Sequence, residues 1–326
     1  MDAMGAMPGT GPNTGPLPVV RRRAEAMSFA RLPEERTLLM GILNLTPDSF
    51  SDGGRHTGED AAESALQAGL RMHYAGAQLI DVGGESTRPG AEPISSGRER
   101  ERILPTVEAL LAAGLLVSVD TRHPQTAEAV LDLAPSVDQV LVNDVSGLQT
   151  AQAMPELIAR TGAHIVITHN RGDAQTMQSK ADYQDVLGDV LAELESLRQR
   201  YLDAGVTPEQ IIMDPGVGFA KTTAQSWELI GRLGEFVERS TAWGHRVLLG
   251  VSRKGLLGEL LADEAGPRAP DGRDIATAGL SLLAAQAGAW AVRVHDVEAS
   301  SDTLRLARAL GAAPALPGEQ TRDPRG

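Results

Sequence analysis

A short apolar run, a polar or glycine-rich turn and a helical segment follow one another eight times along this chain. This repetition restricts the possible fold more than any other feature. The apolar runs are nearly continuous in Val, Ile, Leu and Ala, which is typical of strands buried on both faces of a parallel sheet. Eight β-then-α units predict an α/β protein built as a single (β/α)8 barrel. The predicted strands are residues 38–44, 78–84, 115–121, 139–145, 163–169, 210–216, 246–252 and 291–297.

The segments between these runs have helical periodicity. They are residues 60–75, 95–113, 124–134, 151–161, 184–204, 222–233, 274–289 and 299–310. A doubly wound open sheet is the alternative, but no G-x-G-x-x-G follows the first run, so a dinucleotide-binding sheet has no support. We expect one TIM barrel over residues 31–311. Pro and Gly are frequent outside it, which predicts a disordered lead over 1–30 and a flexible tail over 312–326.

Charge and cysteine content exclude several classes of function. The chain has 43 acidic and 30 basic residues, a formal charge of −13, which disfavours binding to nucleic acid or to an anionic membrane. It has no Cys, so disulfides, thiolate zinc sites and cysteine nucleophiles are excluded. No apolar run reaches the ~18 residues of a membrane span. We expect a cytoplasmic protein whose ligands are small molecules.

Every predicted strand ends in a residue that can carry charge or form a hydrogen bond. In a barrel of this type the active site lies at these carboxyl ends. Amides and carboxylates follow the earlier strands and suit a ligand rich in N–H donors, whereas cations follow the last two strands and predict an anion pocket of Arg253, Lys254, Arg293 and His295. The full set is Asn44, Asp81, Asp120, Asn143, His169, Asp214, Ser252-Arg253-Lys254, Arg293 and His295.

Two long polar loops, residues 46–54 and 83–90, contain glycines and follow the first two strands. Such loops at a barrel mouth predict lids that close on a ligand. No His or carboxylate cluster has the spacing of a transition-metal site. Asn44 with Asp48 or Asp52 offers oxygen ligands for Mg²⁺ if a phosphate supplies most of the coordination.

Seven short motifs, in order, resemble those of dihydropteroate synthases, and together they cover about residues 38–310. The two longest are GILNLTPDSFSDGG at 41–54 and IDVGGESTRPGA at 80–91. The others are SVDT at 118–121, VNDVSG at 142–147, DPGVGFAK at 214–221, SRK at 252–254 and RVHDV at 293–297. One departure is Thr168, because the family usually has Met before the His that stands here at 169.

The resemblance implies a transferase of folate biosynthesis that joins 6-hydroxymethyl-7,8-dihydropterin diphosphate to 4-aminobenzoate and releases pyrophosphate. It also implies Mg²⁺ as cofactor with Asn44 as its ligand, a homodimer, and inhibition by sulfonamides. The implied catalytic residues are Asp52, Arg88, Lys254, Arg293 and His295. The implied pterin-binding residues are Asp120, Asn143, Asp214, Lys254 and Arg293. The implied diphosphate-binding residues are Asn44, Arg88, Arg293 and His295. The implied aminobenzoate-binding residues are Phe50, Thr87, Pro89, Phe219, Ser252 and Lys254.

No nucleophile–base pair stands out in the sequence, which favours a dissociative reaction through a pterin cation. Two other functions share the barrel and the pterin carboxylates. A pterin-dependent methyltransferase domain has no use for a diphosphate, so the cations after the last strands argue against it. A non-catalytic pterin-binding paralogue would bind the pterin without turnover, and only an assay separates it from an enzyme.

Overall fold

Eight parallel strands close into a barrel in the computed structural model, which describes residues 26–46, 59–86, 90–173 and 175–312. Each strand pairs with the next, and β1 pairs with β8 to complete the ring. The strands are β1 Leu38–Asn44, β2 Leu79–Gly83, β3 Leu116–Asp120, β4 Val140–Asp144, β5 His164–Thr168, β6 Ile211–Asp214, β7 Arg246–Leu249 and β8 Ala291–Val294. The predicted (β/α)8 barrel is confirmed, and each strand lies within its predicted run.

Helices surround the barrel and connect its strands. They are α1 Glu59–Ala75, α2 Ser96–Ala112, α3 Pro124–Leu133, α4 Ala153–Thr161, α5 Val186–Asp203, α6 Thr223–Gly231, α7 Leu233–Ala242, α8 Gly255–Leu260, α9 Asp274–Gln286 and α10 Val297–Ala312. The sequence analysis missed α7 and the short α8. The signal for α7 was present, because Leu233, Phe236, Val237 and Ser240 have helical spacing and are all buried.

Side chains that point into the barrel alternate with side chains that pack against the helices, as the period of a strand requires. One inward residue of each strand, or two in β1, belongs to an apolar cluster that fills the lower barrel: Leu38, Met40, Leu79, Leu116, Leu141, Val166, Ile212, Leu248 and Ala291. The barrel is therefore a packed core and not a pore.

Further along seven of the strands, the inward side chains become polar, and in six of these the change comes two residues after the apolar cluster. In β1 the polar residue is Asn44, four residues after Met40, and in β3 both Ser118 and Asp120 are polar. The remaining inward residues of this polar layer are Asp81, Asn143, Thr168, Asp214 and Arg293. The change from apolar to polar within single strands places the candidate site at their carboxyl ends.

The opposite end of the barrel is closed by residues 26–32, most of which the sequence analysis assigned to the lead. Phe29 is buried there, with its ring stacked 4.0 Å from the His164 ring and 5.9 Å from the Trp290 ring, centroid to centroid. The backbone N–H of Met27 donates to the Gly114 carbonyl at 2.8 Å. Residues 1–25 and 313–326, the rest of the predicted lead and tail, lie outside the described residues.

Candidate active site

Arg293 is bound by two carboxylates in the polar layer. Its Nε donates to Asp81 Oδ2 and its Nη2 donates to Asp120 Oδ2, both at 2.6 Å. Asp81 Oδ1 accepts from Ser118 Oγ at 2.5 Å and from Asn143 Nδ2 at 3.4 Å. Burial raises the pKa of Asp120 to about 7, although Arg293 opposes that shift. These contacts fix the guanidinium plane at the barrel mouth.

Asp81 is the main residue whose role the sequence analysis missed. It was noted as a polar strand end and received no function. Its side chain is fully buried and contacts Ser118, Asn143 and Arg293 at once. The alternation of side chains along β2 could have revealed this role, because Asp81 is the next inward-pointing residue after Leu79.

Asp214 and Lys254 form the opposite side of the mouth. Asp214 Oδ1 accepts from the Gly216 backbone N–H at 2.7 Å, and burial raises the pKa of this carboxyl. The Lys254 ammonium donates to the Val217 carbonyl and lies 4.3 Å from the centroid of the Phe219 ring. Burial lowers the pKa of Lys254 to about 8, while Asp214 opposes the shift. The two charges thus stand in a poorly solvated pocket beside an aromatic ring.

Ser252 and His295 are joined by two hydrogen bonds at the ends of β7 and β8. The His295 backbone N–H donates to Ser252 Oγ at 3.1 Å, and Ser252 Oγ lies 2.9 Å from His295 Nδ1. Together these two hydrogen bonds fix the orientation of the His295 ring at the end of β8, two residues after Arg293.

Arg253 does not belong to the predicted anion pocket, and that part of the prediction is wrong. Its Nε and Nη2 donate to the two oxygens of Asp274, each at 2.7 Å. Its backbone has a φ of 58°, and its carbonyl accepts from Arg273 Nη1 at 2.7 Å. The turn directs Lys254 towards the mouth and ties Arg253 to α9.

Comparison with known proteins identifies the family. The family model described as "Pterin binding enzyme" matches residues 40–295. The dihydropteroate synthase of Mycobacterium leprae is 45% identical over 281 residues, covering 85% of this chain and 95% of that protein. This chain belongs to the dihydropteroate synthase family.

Crystal structures of dihydropteroate synthases agree with the family assignment. The Xanthomonas albilineans enzyme with 4-aminobenzoic acid has a TM-score of 0.76 and 37% identity, covering 87% of this chain and 96% of its own. The same enzyme with 7,8-dihydropteroate has a TM-score of 0.73 and 34% identity, with coverages of 87% and 97%.

Of the family residues predicted from the motifs, the described part of the chain brings most to one mouth. Asn44 stands at the end of β1 at the same level of the barrel as Asp120, since Asn44 pairs with Gly83 of β2 and Gly83 pairs with Asp120 of β3. The others found at this mouth are Asp120, Asn143, Asp214, Phe219, Ser252, Lys254, Arg293 and His295. Phe50, Asp52, Thr87, Arg88 and Pro89 lie outside the described residues, as does Asp48.

His169 does not face the mouth, contrary to its place among the predicted strand ends. It is buried on the helix side of the barrel, where its Nε2 lies 2.9 Å from Glu193 Oε2 and its Nδ1 lies 2.8 Å from Lys221 Nζ. Lys221 Nζ also donates to the carbonyls of Gly216 at 3.0 Å and Phe219 at 3.1 Å. Burial lowers the pKa of His169 to about 4, so the ring is neutral and its Nδ1 accepts from Lys221 Nζ, and burial also lowers the pKa of Lys221. This pair supports the loop that carries Phe219.

Proposed function

We propose that this family member condenses 6-hydroxymethyl-7,8-dihydropterin diphosphate with 4-aminobenzoate to give 7,8-dihydropteroate and pyrophosphate. The observation that carries the proposal is the division of charge at one mouth. Arg293 is held by Asp81 and Asp120, with the buried Asp214 on one side and the Ser252–His295 pair on the other. A single substrate that has a ring rich in N–H donors and an anionic tail would complement both the carboxylate half and the cationic half of this mouth.

The carboxylate half suits the pterin ring. Asp214 keeps an ionisable carboxyl in a site where burial disfavours its charge. A buried carboxylate gains most from a ligand that offers two parallel N–H donors, as the amino-pyrimidinone edge of a pterin does. Asn143, whose Oδ1 has no partner within the described part of the chain, supplies a further acceptor. We assign Asp120, Asn143, Asp214, Lys254 and Arg293 to pterin binding.

The cationic half suits the diphosphate. The Arg293 guanidinium and the His295 ring, which Ser252 orients, suit phosphate oxygens, and we add Asn44 and Arg88 to this subsite. Asn44 also fits as a Mg²⁺ ligand, because it supplies an amide oxygen at the same level of the barrel as the Asp120 carboxylate. No group of three His, Asp or Glu is gathered among the described residues, so most ligands would come from phosphate and water. Bound Mg²⁺ would neutralise charge on the leaving pyrophosphate.

We infer a dissociative reaction. The bond between the pterin methylene and the diphosphate oxygen breaks, and its electron pair leaves with pyrophosphate. The electron-rich pterin stabilises the cation, the 4-aminobenzoate nitrogen adds, and the new ammonium releases a proton. Arg293, His295 and Lys254 stabilise the leaving charge, while Asp52 and Arg88 are assigned to loop closure, which excludes water.

The second substrate is assigned to the surface formed by Phe219, Ser252 and Lys254, together with Phe50, Thr87 and Pro89. The Phe219 ring offers a flat apolar contact, and the Lys254 ammonium 4.3 Å from it offers a cation for a carboxylate. Sulfonamides resemble 4-aminobenzoate and are expected to compete for this subsite.

Pyrophosphate release tests the function directly. Rapid steady-state release of pyrophosphate should require both substrates and Mg²⁺, and Asp214→Asn should abolish that turnover. A non-catalytic paralogue would bind the pterin and release nothing, and a methyltransferase domain would bind methyltetrahydrofolate with no preference for a diphosphate. With enzyme in excess and no aminobenzoate, a dissociative reaction gives slow pyrophosphate release with hydroxymethyl pterin, whereas direct displacement gives none.

We also propose that the protein acts in the cytoplasm as a homodimer. Large apolar side chains are exposed on the adjacent helices α9 and α10: Ile275, Leu283, Leu306 and Leu310. Such a patch is typical of an interface, and a second copy would cover it. Light scattering after gel filtration should give twice the chain mass. The Ile275→Glu variant should be monomeric, whereas Leu260→Glu, on α8, should behave like the wild type.

The lack of Cys is compatible with a reducing compartment. Among the described residues, no helix is both long and apolar enough to cross a membrane.

A further inference from the structure

Two buried side-chain atoms on the inner wall of the barrel mouth have no hydrogen-bond partner among the described residues. They are Asn143 Oδ1 and Thr168 Oγ1. Asn143 has a proposed place in the pterin pocket, whereas no part of the mechanism uses Thr168. A buried hydroxyl without a partner costs free energy, so its retention at this position calls for an explanation.

The direction of the Thr168 side chain follows from β5. Val166 points into the barrel and belongs to the apolar cluster there, and Thr168 has the same parity two residues later. Its pairing partner on β6 is Asp214, which is also inward, since it follows Ile212 by two residues. Thr168 is only 1% exposed. Its hydroxyl therefore lies on the same wall as the Asp214 carboxylate, in the neighbouring strand.

Other buried hydroxyls without partners in the described chain have a different location. Ser240 and Ser300 are on α7 and α10, outside the barrel wall. Thr168 is distinguished by its position inside the mouth, next to a carboxylate that is itself buried. A ligand bound to Asp214 would meet the Thr168 hydroxyl.

We propose that Thr168 is a specificity-determining residue of the pterin pocket, whose hydroxyl donates a hydrogen bond to the ring acceptor beside the edge paired with Asp214. The proposal rests on the proposed function. The amino-pyrimidinone edge of a dihydropterin presents two N–H donors flanked on each side by an acceptor, the 4-oxo group or N1. A carboxylate next to a hydroxyl donor is the complement of that pattern.

Calorimetry with 6-hydroxymethyl-7,8-dihydropterin tests the proposal. Thr168→Val keeps the branched shape and removes the hydroxyl, and it should weaken binding about 10-fold. Thr168→Ser restores the hydroxyl and should bind within about threefold of the wild type. Ser240→Ala also removes a buried hydroxyl without a partner, but away from the mouth, and should bind normally.

Stability and kinetics separate recognition from a merely structural role. Thr168→Val should unfold at the same temperature as the wild type or higher, because the unpaired hydroxyl is removed from the unliganded protein. Its KM for the pterin diphosphate should rise, while its KM for 4-aminobenzoate should not change.

Equal affinity of Thr168→Val and the wild type would overturn the proposal, as would a loss of affinity that Thr168→Ser shares in full. A fall in unfolding temperature with Thr168→Val, with both KM values raised alike, would assign the hydroxyl to the fold instead. Asp214→Asn is the reference: if it too binds the pterin normally, the proposed function fails, whatever Thr168 does.

Discussion

Lys254 is the residue at which burial and function are most closely linked. Its ammonium is shielded from water, which brings its pKa down to about 8 in the unliganded protein. As the pH rises through that value the ammonium loses its proton, so the cation that would attract a diphosphate or carboxylate disappears. Affinity for anionic substrates is therefore expected to fall on the alkaline side.

The corresponding prediction concerns the pH profile. We expect kcat/KM for the pterin diphosphate to decline above about pH 8, following the Lys254 pKa. Lys254→Arg keeps the positive charge at every accessible pH and should move the decline upward, even if the maximal rate falls. Steady-state rates between pH 6 and 10 provide the measurement. A decline that stays in place in Lys254→Arg would assign it to another group.

Among single residues, the limits of prediction from sequence follow from side-chain direction. Asp120, Asn143, Asp214 and Arg293 were found because polar residues at the ends of buried strands are visible in the pattern, and parity then directs them inward. Arg253 and Lys254 are adjacent cations whose sequence context is the same. Their side chains point in different directions because Arg253 has a positive φ and bonds to Asp274 on α9. Neither feature can be recognised from the residues next to them in the sequence.

At the scale of elements, the loop between β6 and α6 is held in an unusual backbone conformation. Gly216, Gly218 and Ala220 all have positive φ within five residues. A Cβ on Gly216 would lie 1.9 Å from the His169 carbonyl oxygen, so only glycine fits there. Tyr183 Oη donates to the Ala220 carbonyl at 3.0 Å, and Lys221 donates to the carbonyls of Gly216 and Phe219. These side chains fix the position of the Phe219 ring.

Lys221→Met tests this loop. Methionine fills similar space without donors, and it leaves the Gly216 and Phe219 carbonyls without the Lys221 amine. Each lost hydrogen bond costs about 0.5–1.5 kcal/mol. Because burial disfavours the charged amine and lowers the pKa of Lys221, an apolar side chain at this position returns part of that cost, so the effect on stability is expected to be modest. We expect KM for 4-aminobenzoate to rise about 10-fold or more, because Phe219 loses its fixed position, while Lys180→Met, at an exposed position, leaves it unchanged. An unaltered KM in Lys221→Met would show that the loop holds its shape without the lysine.

Elements with strong periodicity were predicted well from sequence, and those defined by tertiary contacts were not. The eight strands and most helices follow from apolar runs and helical spacing. The boundary between α6 and α7 at Arg232 was missed although glycines flank it, with Gly231 ending α6 and Gly234 lying in the first turn of α7. The place of His169 was misjudged because one residue beyond Thr168 reverses the side of the barrel that a side chain faces.

In the whole molecule, the two ends of the barrel have separate tasks. The mouth gathers buried charges whose pKa values are displaced, including Asp120, Asp214 and Lys254. Such groups lower the stability of the unliganded protein, and they serve ligand binding or transition-state stabilisation. The opposite end, here called the base of the barrel, is apolar and is closed by Phe29, whose ring stacks against His164 and Trp290. Stability should therefore depend on the base, and reaction rate on the mouth.

Phe29→Ala tests that division. Removing a buried aromatic side chain leaves a cavity and should lower the free energy of unfolding by about 3 kcal/mol. The substitution lies at the opposite end of the strands from the candidate site, so kcat and both KM values should match the wild type at 25 °C. Urea unfolding measures the first quantity and the pyrophosphate assay the second, with Leu260→Ala, an exposed position on α8 outside the proposed dimer patch, as the control for stability. A change in KM comparable to the loss of stability would mean that the base controls the geometry of the mouth, because the strands that pass from Phe29 to the polar layer would then be transmitting the disturbance.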